Sequence, residues 1–222
     1  MATRSLAIYG GGGFGREVLQ LIRDINRREE TWDCRGFIVD RALVTTPTIQ
    51  GLPVLGDVSW LTEHPDVQVV IAIGSSADRC KVARRIVGEG RTTFATLVHP
   101  RAWLGDHVAL GSGTIVCAGA LITTDVKIGG HVHVNLGATI GHDTVLDDYV
   151  TVNPGVHISG NVTVGEGVEL GTGSVIIPKC EIGVWAIVGA GSVVTKPVPA
   201  DTTAVGAPAK VIKERSTGWQ DR

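Results

Sequence analysis

His142 is followed directly by Asp143. An imidazole beside a carboxylate is suited to general-base work, because the carboxylate orients the ring and stabilises the imidazolium that forms when the ring takes a proton. Gly160 stands eighteen residues further on. A glycine N–H with no side chain beside it is a good donor to a developing oxyanion, if the fold brings it near the ring. His99, His107, His131, His133 and His157 share no common spacing with His142, so no metal-ligand cluster is expected. Cys34, Cys80, Cys117 and Cys180 form no C-x-x-C pair and read as reduced thiols. No serine or cysteine sits in a nucleophile motif, so direct transfer without a covalent enzyme intermediate is the simpler chemistry.

A second candidate lies near the start of the chain. Gly10, Gly12 and Gly15 give the spacing G-x-G-x-x-G after an apolar strand over 6–9. A helix follows, with Val18, Leu21, Ile22 and Ile25 on one face. This loop lets backbone approach a phosphate at a helix N-terminus. Asp40 closes a second strand over 36–39, where it could hold a ribose hydroxyl. A buried strand over 67–73 ends at Gly74, a helix over 77–87 follows, and a last strand over 94–98 leads onward. Residues 1–97 therefore read as a small α/β, Rossmann-like domain with little more than one βαβ half. A nucleotide sugar fits that size better than NAD. A dinucleotide-dependent oxidoreductase, or a glycine-rich turn in a purely structural domain, stays open.

The second half must position His142, and it is a repeat. Val98 and every sixth residue after it up to Val194 is Val, Ile or Leu. The fifth residue of each hexad is small or Val, and the second is often Gly. No helix has that period. Two-residue strands joined by tight corners do, with three hexads per coil, so residue n stacks on n+18. The spacing predicts a three-sided parallel β-helix over 98–195. His142, third in its hexad, projects from a corner with Thr124 below and Gly160 above. Asn135 reads as a hydrogen-bonding residue of the coil, and His157 as a surface group stacked on Thr139. The sides of such a prism are expected to associate around a threefold axis. The tail, 196–222, contains Pro197, Pro199 and Pro208, so clean continuation of the strands is not expected, and 209–216 reads as a short helical cap.

Composition narrows the partners. The chain has 222 residues and a formal net charge of −2. Neither half is basic, which argues against nucleic acid. No apolar run is long enough to span a membrane, and the glycine cluster so near the start is unlike a secretory signal. A cytoplasmic protein is expected.

The unbroken hexads, the glycine loop at 10–15, the run Asn135-Leu136-Gly137-Ala138-Thr139-Ile140-Gly141-His142-Asp143 and the closing Gly206-Ala207-Pro208-Ala209-Lys210 resemble the NeuD/PglD-like sugar acyltransferases. These lie within the left-handed β-helix hexapeptide transferases, and the resemblance spans nearly the whole chain. It alone supplies the left-handed sense, since the general crossover rule favours right-handed connections. The resemblance implies a homotrimer with sites between neighbouring prisms, acetyl-CoA as co-substrate, no metal, and a sugar amine or hydroxyl as acceptor, often on a nucleotide-linked 4-amino sugar. It implies His142 as base, Asp143 as its partner, and Gly160 as amide contact to the acetyl carbonyl. Thr172, Ala190 and Thr151 fall on the acyl-donor side; Gly12, Gly13, Phe14, Asp40 and Gly74 fall on the nucleotide-sugar side. Some relatives carry His where this chain has Phe14 and Thr151. The expected activity is N-acetylation of a nucleotide-linked amino sugar in glycan biosynthesis. The alternatives are a sialic-acid-type O-acetyltransferase, an NAD-binding oxidoreductase and a trimeric scaffold.

Overall fold

The computed structural model describes residues 3–90 and 93–221. The first unit runs β1 (Arg4–Tyr9), α1 (Gly13–Arg28), β2 (Trp32–Ile38), β3 (Thr48–Ile49), β4 (Leu52–Gly56), α2 (Ser59–Glu63), β5 (Gln68–Ile71) and α3 (Ser76–Gly88). The sheet order is β3-β4-β2-β1-β5, parallel except for the β3–β4 pair. Alternation along β1 sends Leu6 and Ile8 to the side of Val18, Leu19 and Ile22 of α1, and Ala7 and Tyr9 to the side of Ala83 and Ile86 of α3. Both faces of β1 are thus covered, which is why it reads as a continuous apolar run.

Seventeen two-residue strands follow, β6 (Leu97–Val98) to β22 (Val193–Val194). Each of the first fourteen pairs eighteen residues on, as in His133 with Thr151, Thr139 with His157 and Val145 with Thr163. The first and fifth hexad residues both fill the prism: Val134, Ala138, Ile140, Val150 and Val152 are all fully buried. Face one holds the strands that start at 97, 115, 133, 151, 169 and 187; face two those at 103, 121, 139, 157, 175 and 193; face three those at 109, 127, 145, 163 and 181. Face one is roofed by the α/β unit. Leu97 and Ile115 point outward from it into the same core as Leu6 and Val18.

Three expectations are corrected. The strand expected over 94–98 is split: Phe94 only bridges Val69 of the first sheet, while Leu97–Val98 is already the lowest rung of face one, because the Leu97 N–H donates to the Thr114 carbonyl. The tail does extend the prism. The coil shortens by two residues after Val194, so that Val198 bridges Ile182 and β23 (Thr202–Val205) pairs with the rung at Ile187–Val188. The helix expected over 209–216 is instead a strand, β24 (Lys210–Glu214), antiparallel to β23. Its physical reason is the free edge of β23, which offers unpaired backbone groups to a segment centred on the β-branched Val211 and Ile212. The chain then returns to α3, where Arg84 meets Asp221 at 2.8 Å. Among the described residues no helix is long and apolar enough to cross a membrane.

Candidate active site

The edge between faces two and three carries His142. Its turn needs a left-handed residue, and Asp143 takes that place at φ +56. A short polar side chain tolerates this conformation. It also brings the carboxylate back to the preceding ring, with His142 Nδ1 to Asp143 Oδ2 at 2.7 Å. A carboxylate only accepts, so Nδ1 carries the proton and Nε2 presents its lone pair. Both side chains are 57% exposed. Nε2 faces the glycine one coil above: a Cβ on Gly160 would lie 2.6 Å from it. Among the described residues the Gly160 N–H has no hydrogen-bond acceptor. This corner therefore joins an oriented base to a bare amide donor.

Thr172 and Ala190 stack on the other edge of face two, one coil apart and exposed. Within one chain the width of face two separates them from His142. The left-handed positions of their edge are Gly119, Gly137, Gly155, Gly173 and Gly191. At Gly137, Gly155, Gly173 and Gly191 an added Cβ would meet nothing within 4 Å. The His142 edge uses His107, Asp125, Asp143, Asn161 and Lys179 at the same conformation, so nothing inside the chain demands glycine on the other.

The second feature is a cavity of about 680 Å³ beyond the carboxyl ends of β1, β2 and β5. Gly12, Gly13, Phe14, Asp40 and Gly74 all line it, together with Val39, Leu43, Val44 and Ile49. Gly15 must be glycine, since a Cβ there would sit 1.9 Å from the Gly10 carbonyl oxygen and push α1 off the loop. The start of α1 has Gly12 as its cap, no side-chain cap bond and no acid in its first turn. Its backbone donors are left for an anion. The start of α3 is instead closed from within, by Ser75 and by Glu169 Oε1, which accepts from the Ser76 N–H at 2.8 Å. Asp40 accepts from Tyr9 Oη at 2.8 Å and pairs with Arg85 at 2.8 Å, so it is an oriented acceptor at the cavity rim.

Thr151 is not at an acyl-donor wall in this chain. It is 2% exposed, with its hydroxyl donating to the Gly74 carbonyl at 3.0 Å and accepting from Arg79 at 2.8 Å. It sits on face one, under the α/β unit, where a threonine joins two units through hydrogen bonds. Asn135 bonds the Val152 carbonyl one coil above, and His157 Nδ1 meets Thr139 Oγ1 at 2.9 Å. Sequence reasoning missed Arg79 and His133, both buried at this junction. The signal for Arg79 was its spacing: it falls at i, i+4 and i+7 with Ala83 and Ile86, inside the apolar stripe of its helix. Burial holds the His133 imidazole neutral, and its Nε2 lies 3.0 Å from the Ile71 carbonyl.

Residues 5–86 match the family model of the PglD N-terminal domain. A UDP-N-acetylbacillosamine N-acetyltransferase of Bacillus subtilis is 37% identical over 126 residues, 52% of this chain and 52% of that protein. The match thus spans about half the length of that curated relative. The acetyltransferase domain of PglB from Neisseria gonorrhoeae superposes with a TM-score of 0.85 at 30% identity, over 95% of this chain and all of that one. A histidine-to-asparagine variant of perosamine N-acetyltransferase from Caulobacter crescentus, solved with CoA and GDP-perosamine, gives 0.84 at 32% identity, over 96% of this chain and 99% of that one.

Proposed function

The chain belongs to the NeuD/PglD-like family of sugar acyltransferases, and on that premise we propose that it is an acetyl-CoA-dependent N-acetyltransferase of a nucleotide-linked amino sugar, of the 4-amino-4,6-dideoxy kind, in glycan biosynthesis. The observation that carries this reading is the geometry of His142, tied at Nδ1 to Asp143 and open at Nε2 beneath Gly160. The acceptor amine attacks the thioester carbonyl carbon while Nε2 takes its proton. The Gly160 N–H donates to the carbonyl oxygen as it becomes anionic. A C–N bond forms, the C–S bond breaks, and the imidazolium returns its proton to the departing thiolate. Asp143 keeps the ring in the tautomer that can accept.

Residues 1–97 supply the acceptor cavity, residues 98–195 the transfer edge, and residues 196–222 close the prism. The start of α1 takes a phosphate and Asp40 a ribose hydroxyl. The assembly is a cytoplasmic homotrimer. Face two supports that: Trp103 is 55% and Leu121 45% exposed on it, and Leu136 on its glycine edge is 47% exposed. A threefold axis along face two sets the His142 edge of one copy beside the Thr172–Ala190 edge of the next. The open glycines then admit a close neighbour, which explains their presence where the chain itself needs none.

Thiol release from acetyl-CoA, measured with GDP-perosamine and with a UDP-linked 4-amino sugar, tests the reading. Turnover with an amine acceptor is expected. Turnover only with a hydroxyl acceptor such as sialic acid would make it an O-acetyltransferase, and tight NAD binding without acetyl-CoA binding would end the proposal.

A further inference from the structure

The cavity wall at Ile73 and Gly74 is held from outside its own sheet. Arg79, in the first turn of α3, is fully buried, and among the described residues no carboxylate lies within ion-pair reach of it. A cation there is costly, since burial strips its water and the Glu169 carboxylate at the helix start offsets that cost only in part. Its five N–H groups are nevertheless all placed. Nε donates to the His131 carbonyl at 2.8 Å, Nη1 to Ile73 at 2.7 Å and Gly74 at 3.1 Å, and Nη2 to the Tyr149 carbonyl at 2.7 Å and Thr151 Oγ1 at 2.8 Å. Thr151 passes the contact on to Gly74 at 3.0 Å, and Ser76 Oγ lies 2.9 Å from Thr151 Oγ1.

Two of these acceptors belong to the cavity wall and three to two successive coils of the prism. Adhesion alone does not require this, because lower on face one Leu97 and Ile115 join the units by apolar contact. Apolar contact is non-directional and permits sliding. A planar fork with five fixed donors does not. We propose that Arg79 is a positioning residue, which fixes the height of the acceptor cavity against the prism and so delivers the acceptor amine to the level of His142. This rests on the reading that a nucleotide-linked acceptor is held in the cavity.

The test compares two acceptors, a UDP-linked 4-amino sugar and the same amino sugar without its nucleotide, in wild type, Arg79→Lys, Thr151→Val and, as a surface control on the same helix, Arg84→Gln. Arg79→Lys keeps the charge and loses the fork. It is expected to lower kcat/KM at least tenfold for the nucleotide-linked acceptor. KM for acetyl-CoA should stay within twofold of wild type, and so should transfer to the free sugar. Thr151→Val should lose severalfold on the same acceptor only, and it carries the test alone if Arg79→Lys does not fold. Equal losses on both acceptors, or no loss on either, would overturn the positioning role while transfer by wild type still stands. A wild type that transfers to neither acceptor overturns the underlying functional reading, and the positioning role with it.

Discussion

At His142 the backbone and the chemistry are one device. The corner requires a left-handed residue at 143, and the aspartate that meets the requirement is thereby folded back onto Nδ1 at 2.7 Å. His142→Ala should lower kcat by about 10²–10⁴-fold, the usual worth of a positioned base, with acetyl-CoA binding by calorimetry unchanged. Asp143→Asn leaves a group that can either accept or donate at Nδ1, so the ring loses its fixed tautomer; a loss of up to about 10⁴-fold is expected. Near-wild-type turnover in His142→Ala would remove the base assignment. Gly160→Ala is the sharper probe, because its Cβ falls 2.6 Å from Nε2. The ring must swing away, so activity should collapse while circular dichroism and melting stay close to wild type. Retained activity in that variant would mean that Nε2 does not work beneath residue 160.

At the scale of elements, the hexads were legible because a period of six with two inward positions fits a three-sided coil of short strands and no helix, while the hand of that coil is not in the period. The segment between Asp40 and Val67 was not, because strands of two and five residues and a five-residue helix are too short to show a period. The tail strand was misread because its pairing partner, the edge of β23, exists only after the coil has shortened. His142 was legible because its outward position follows from the repeat alone. The burial of Thr151 was not, because outward positions on face one are covered by a unit far away in sequence. That junction also buries His131, whose ring stacks on Tyr149 and meets Phe94 edge-on. Burial first, and then the Arg79 charge, lower its pKa to about 4. An unfolded histidine takes its proton near its ordinary value of 6.5, so between these two limits the unfolded chain holds more protons. Stability is therefore full above pH 6.5 and falls as the pH drops toward 4. The loss from this group is on the order of 3 kcal/mol. His131→Phe keeps the stacking ring and removes the titration. Its urea midpoint should fall less than that of wild type between pH 7 and pH 4.5, and parallel slopes would show that His131 does not couple folding to acid.

For the whole molecule, the proposed reading has to join His142 to Thr172 and Ala190, which stand on opposite edges of face two. One prism cannot close the gap, because both edges are built on the same rigid face. The proposed threefold arrangement would close it three times over without moving a strand, and would also cover Trp103 and Leu121, which a lone prism leaves in water. Replacing Trp103 with Glu and Leu121 with Lys together places charges on that face without touching an inward residue. Light scattering should then report a monomer in place of a trimer. The prism should still fold, since its core lies on the other side of each strand. Turnover should fall by at least 10²-fold, because each base loses the neighbouring edge it works against, while a nucleotide such as UDP still binds in the α/β cavity of the isolated chain. A stable monomer with full turnover would place the acyl donor on the same chain as His142, and the shared-edge arrangement would have to be abandoned.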